Sequence, residues 1–166
     1  MTTGTLTTPS RPSSTRSTRA GPAALVSRLR RICLALPEAR EKLSHGEPAW
    51  FAGAGKMFAT LDDHHHGASH LSVWLPQPLG AQEALVAADP ARFFRPPYVG
   101  PSGWVGVVLD TGPDWGMVER LVRDAYVLVA RPRLRRLVTG EAAEAPAAGR
   151  RPRRAAAARA PRPRAP

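Results

Sequence analysis

The stretch at residues 92–110, RFFRPPYVGPSGWVGVVLD, constrains the fold of this chain more than any other. It sets two phenylalanines, a tyrosine and a tryptophan beside two arginines. It then runs into Trp104-Val105-Gly106-Val107-Val108-Leu109, an apolar, β-branched segment that reads as a buried strand. Pro96-Pro97 and Gly100-Pro101-Ser102-Gly103 keep the backbone before that strand out of helix, because proline fixes φ and glycine accepts positive φ. A stiff aromatic loop feeding a central strand is the prediction.

The elements around it follow from periodicity. Pro22 introduces a helix over 23–36 with Leu25, Leu29, Ile32 and Leu36 on one stripe, and Pro37 ends it. Residues 38–46 read as a polar connection. Residues 47–52 read as a short strand entered through Pro48, hence at an edge of the sheet. Gly53-Ala54-Gly55 signals a hairpin, and residues 56–62 and 69–75 alternate as two further strands. A short helix follows at 79–88, a turn of helix at 91–94, and the buried strand at 104–110. Asp114 can cap a last helix, whose stripe includes Val118, Leu121, Val122 and Ala125 and which Arg131-Pro132 breaks. The order α-β3-α-β(1-2)-α predicts a two-layer α+β sandwich, an antiparallel sheet with helices on one face.

This places the folded domain at 22–138. The Ser/Thr/Arg-rich residues 1–21 and the Ala/Arg/Pro-rich residues 139–166 carry no periodic apolar face and are expected to be disordered. The formal net charge of +11 is unevenly spread: residues 1–36 hold six arginines and no acid, and residues 131–166 hold eleven arginines against Glu141 and Glu144. Residues 37–130 hold seven basic and eleven acidic side chains, a balance of −4. The expectation is a mildly acidic body with basic ends. Arg150, Arg151, Arg153 and Arg154 in the C-terminal tail are candidates for holding a polyanion by counterion release without reading sequence. The same Ala/Arg/Pro bias also suits a GC-rich genome.

The single cysteine, Cys33, excludes an intramolecular disulfide, fits a reducing compartment and falls on the apolar side of the first helix. No run of about 18 apolar residues is present to span a membrane. The N-terminus has neither an amphipathic pattern nor a signal-peptide core, so a cytoplasmic location is expected.

Candidate chemistry is sparse. Asp62-Asp63-His64-His65-His66 with His70 offers imidazole and carboxylate, but consecutive turn residues diverge and no helical pair completes a shell, so no metal site is expected. Ser44-His45 and Ser102 lack a nucleophile elbow, Asp110 and Asp114 suit a turn and a cap, and no phosphate-cradling glycine pattern occurs. Neither an enzyme nor a cofactor is therefore expected. Lys56, Arg92, Arg95, Tyr98 and Trp104 remain as nucleic-acid-binding candidates, since basic groups interleaved with aromatics can grip a backbone and stack on a base. The competing reading packs Phe93, Tyr98 and Trp104 into the core with the arginine stems laid over them.

In order along the chain, LPEARE, HGEPAWFAGAGKMFATL, the Asp89-Pro90 ahead of RFFRPPYVGPSGWVGVVLD, and DAYVLVA resemble the MmcQ/YjbR family over about the central three-fifths. The resemblance implies a CyaY-like α+β fold and a DNA-binding role by likeness to a double-wing domain. With the basic tails, it leads to the expectation of a non-enzymatic protein that binds DNA weakly and without sequence preference. The alternative is a protein- or small-ligand-binding module that uses the aromatic loop at 93–104, with the tails incidental.

Overall fold

In the computed structural model, residues 21–65 and 69–141 are described. Residues 1–20 and 142–166 lie outside them, and with them all of the two predicted tails but Gly21 and residues 139–141, and Arg150, Arg151, Arg153 and Arg154; so does His66. The elements run α1 (Pro22–Leu34), β1 (Ala39–Ser44), β2 (Glu47–Ala52), β3 (Met57–Asp63), β4 (Leu71–Pro76), α2 (Ala81–Ala88), β5 (Phe93–Phe94), a 3₁₀ turn at Gly100–Ser102, β6 (Trp104–Val108), α3 (Trp115–Val129) and α4 (Pro132–Thr139). The strands form one antiparallel sheet in the order β1-β2-β3-β4-β6-β5. The fold class is the predicted α+β, with three departures in its elements.

The first is β1, which replaces the expected polar connection. His45 and Gly46 both take positive φ, 54° and 87°, as a two-residue type I′ hairpin turn requires. β1 then pairs with β2 along its full length, so β2 is an inner strand and Pro48 sits near its start, opposite Leu43. The second is α4. Arg131-Pro132 does end α3, but Pro132 occupies the first turn of a further helix, where its missing N–H costs nothing. Leu134 anchors that helix, buried to 4% exposure. The third is at residues 93–94, where β5 pairs Phe93 with Val107 and Phe94 with Gly106 in place of a helical turn.

Register divides the sheet into two faces. One carries Trp50, Ala59, Leu61, Val73, Leu75, Val105 and Val107 against Leu25, Leu29 and Cys33 of α1 and Val118, Val122 and Tyr126 of α3. The Tyr126 ring stands edge-on to Phe58 at 5.2 Å, and its hydroxyl donates to the Pro37 carbonyl at 2.5 Å, tying α3 to the end of α1. Burial among these apolar groups pushes the Cys33 thiol well above its ordinary pKa. The other face presents Thr60, Asp62, Ser72, Trp74, Gly106 and Val108, aligned across β3, β4 and β6. The tip of the Phe94 ring lies over Gly106, where an added Cβ would meet it at 2.3 Å. No helix among the described residues is long and apolar enough to cross a membrane.

Candidate binding surfaces

On the face of the sheet away from α1 and α3, a groove of about 390 Å³ lies between the β1–β2 turn and the loop at 95–103. Met57, Thr60 and Trp74 contribute to its floor, Ser44, His45, Glu47 and Asp62 to its polar side, and Tyr98 and Val99 to its loop wall. The Trp74 ring is nearly buried, its indole N–H donating to Ser72 Oγ at 3.1 Å. Asp62 is 1% exposed, and Glu47 Oε1 is 2.6 Å from His65 Nδ1. Tyr98, by contrast, is 80% exposed, which corrects its assignment to core packing, and holds φ at +63°. A side chain in that left-handed region costs about 1–3 kcal/mol and persists only where its surroundings impose it. Here the backbone bonds Val99 N–H to Pro97 O (2.7 Å) and Gly100 N–H to Pro96 O (3.0 Å) close two nested tight turns with Tyr98 inside both.

The loop is held from beneath by Gln82, 3% exposed on α2. Its amide nitrogen donates to the carbonyls of Gly100 (2.8 Å) and Trp104, and its oxygen accepts from Arg95 Nε at 2.9 Å. Arg95 also lies 3.8 Å from Glu83, and its stem fills the space a Cβ on Gly100 would need. Sequence reasoning missed Gln82, because one polar residue on a short helix carries no pattern. Arg95 and Trp104 thus meet around this amide. Arg92 is paired with Asp89 at 3.4 Å, and exposed Lys56 precedes β3, with β4 and β6 between that strand and β5. Lys56, Arg92, Arg95, Tyr98 and Trp104 do not form one continuous surface.

The described histidines of this stretch lie against separate carboxylates. His64 lies 2.6 Å from Asp63, His65 2.6 Å from Glu47 and His70 3.8 Å from Asp110. Among the described residues no three His, Cys, Asp or Glu side chains converge as metal ligands. Ser44 Oγ and His45 Nδ1 are 3.2 Å apart within the exposed β1–β2 turn.

A second surface is built by α4. Leu134 turns inward, its Cδ1 3.3 Å from where a Cβ on Gly53 would stand, while Arg131, Arg133 and Arg135 are exposed and Arg136 half-buried. Arg133 reaches Glu38 at 3.1 Å, and Arg123 of α3 donates to the Val138 carbonyl at 2.5 Å. Four arginines assigned to the C-terminal charge therefore belong to the fold. With the three of α1, and against Glu141, they bring residues 21–141 to a net +2, where residues 37–130 alone carry −4.

The model of the YjbR family matches residues 34–128. The chain belongs to the YjbR family. The YjbR match runs from the end of α1 to the last turn of α3, so it contains every residue of the groove and stops before α4. The crystal structure of Deinococcus radiodurans protein DR2400, with a DUF419 domain, is similar in fold, with a TM-score of 0.55 at 22% identity over 68% of this YjbR chain and 86% of that one. Among functionally curated proteins none matches.

Proposed function

We propose that this YjbR protein is a non-enzymatic, cytoplasmic DNA-binding protein that holds the phosphate backbone through α4 and the arginine-rich sequence after it, without reading bases. The observation that carries this reading is the row of arginines on α4. Arg131 at the N-cap and Arg133, Arg135 and Arg136 on the helix, which Leu134 fixes to the body beside Arg123 of α3, precede seven more arginines between 150 and 164. Guanidinium forks match phosphate oxygens in geometry, and contacts of this kind add affinity without sequence information. The open sheet face, with Glu47 and Asp62 in its groove, has no part in the reading.

Fluorescence anisotropy with two duplexes of unrelated sequence tests it. The two should bind alike, and glutamine at 131, 133, 135 and 136 should weaken both. Undiminished binding by that variant, or strong preference for one duplex, would refute it.

A further inference from the structure

Independently of α4, we propose that the outer edge of β1 takes up an extended acidic segment of a partner protein as an added strand of the sheet. β1 stands first in the order β1-β2-β3-β4-β6-β5, and among the described residues no strand pairs with its outer side. The opposite edge is β5, only two residues long, so β1 with six is the edge long enough to template another strand. Register fixes which of its backbone groups are on offer. Ser44 and Glu47 pair across the two-residue turn, and just beyond the other end of the ladder the Gly53 N–H donates to the Glu38 carbonyl at 3.1 Å. In an antiparallel pair every second residue bonds across. Arg40 and Lys42 therefore turn their N–H and C=O towards β2, and Glu41 and Leu43 turn theirs outwards. The Ala39 N–H, on the same outer side, is already given to the Leu36 carbonyl at 3.1 Å.

The side chains decide what kind of strand fits. Arg40 and Lys42 are exposed on the face of β1 opposite Glu41, and neither has an ion-pair partner among the described residues. The Lys42 ammonium lies 5.5 Å from the centre of the Phe51 ring, which holds it over the sheet face. Glu41, the one carboxylate of β1, is taken up by Arg30 and the Trp50 indole, so it does not oppose an acidic neighbour. Leu43, 76% exposed, leaves apolar surface on the other face of the edge. Residues facing each other across paired strands share a face. An incoming strand with carboxylates at alternate positions thus sets them against Arg40 and Lys42, and its intervening apolar residues meet Leu43. Opposite charges so placed stabilise the pair and like charges destabilise it. A second copy pairing about the middle of β1 would bring Arg40 and Lys42 against the same two cations, so the edge that suits an acidic strand disfavours self-pairing.

The experiment titrates the full chain, labelled with ¹⁵N, with a short blocked peptide alternating valine and glutamate. Its lysine counterpart and the acidic peptide N-methylated at every valine are titrated in parallel. The expected result is saturable binding of the acidic peptide, with amide shifts centred on residues 40–43 and slowed hydrogen exchange at Glu41 and Leu43. The lysine and N-methylated peptides should bind roughly tenfold or more weakly. Arg40→Glu with Lys42→Glu, at two exposed positions, should turn the preference towards the lysine peptide while leaving the spectrum of the core unchanged. Equal binding of the three peptides, shifts centred elsewhere, or a preference for the acidic peptide that survives the charge reversal would overturn the assignment. So would a DNA duplex that displaces the peptide from residues 40–43, or pairing of the unliganded chain through the same amides as its concentration rises, which would give the edge to phosphate or to a second copy.

Discussion

Glu41 stands on the inward face of β1, where a hydrophobic residue would be expected, and its substitution tests why that strand forms. Its Oε2 accepts from Arg30 Nε at 2.7 Å and from the Trp50 indole at 3.0 Å, and its Oε1 accepts from Arg30 Nη2 at 2.9 Å. Trp50 is fully buried, so removing the acceptor strands an indole N–H away from water, at about 1–3 kcal/mol. The Arg30 side chain is 40% exposed and can return to solvent, so the ion pair itself is worth about 0–1 kcal/mol. Glu41→Ala should therefore cost about 2 kcal/mol, and Glu41→Gln, which keeps an acceptor for the indole, less than about 1 kcal/mol. The hydrogen bond from Arg30 holds the Glu41 carboxyl below the ordinary carboxylate range, with desolvation acting against it. A depressed folded-state pKa contributes stability that is complete above the ordinary value and is lost as pH falls through the folded one. The stability gap between wild type and Glu41→Gln should accordingly narrow on acidification below the ordinary range. Urea unfolding at neutral and acid pH measures both effects. A cost for Glu41→Ala below about 0.5 kcal/mol, within the range of ordinary surface changes, or a gap that stays constant with pH, would refute the reasoning.

Gly106→Ala should destabilise the protein by about 1–3 kcal/mol, because the new methyl meets the Phe94 ring; adding Phe94→Ala should recover part of that loss, and strictly additive costs would place the strain elsewhere. Cys33 should react with a thiol reagent only as fast as the domain opens, since the thiol is buried and its pKa is raised by desolvation; prompt stoichiometric labelling of the native chain would contradict its position.

The α+β class, three of the four helices and the central strands were legible because their apolar positions repeat at helical or strand spacing. β1 was not, since Glu41 interrupts its apolar alternation and is satisfied by Arg30 and Trp50, partners that only the folded chain supplies. Nor was α4: the Arg-Pro pair after α3 fits a helix end, and the same proline also starts a helix. That ambiguity left four arginines counted with the C-terminal charge; with the three of α1, and against Glu141, they change the balance of the body from −4 to +2. The aromatic loop was visible as a feature, but its groove draws on β1–β2, β3, β4 and the loop, segments whose adjacency depends on strand order. Of the five candidates in the body, Arg92 and Arg95 looked available because sequence shows charge and not partners. Asp89, Gln82 and Glu83 take them up in the structure.

The most direct test of the DNA-binding account is the salt dependence of duplex affinity for the intact protein, for its glutamine variant at 131, 133, 135 and 136, and for a chain ending at Glu141. Each phosphate neutralised contributes about 0.9 to the slope of log affinity against log salt. The account predicts a smaller slope for the α4 variant than for the intact chain, and a residual, sequence-indifferent affinity for the shortened chain that α4 alone sustains. Equal slopes for intact and variant proteins, or sequence-selective binding by the shortened chain that survives roughly physiological ionic strength, about 0.15 M, would contradict it.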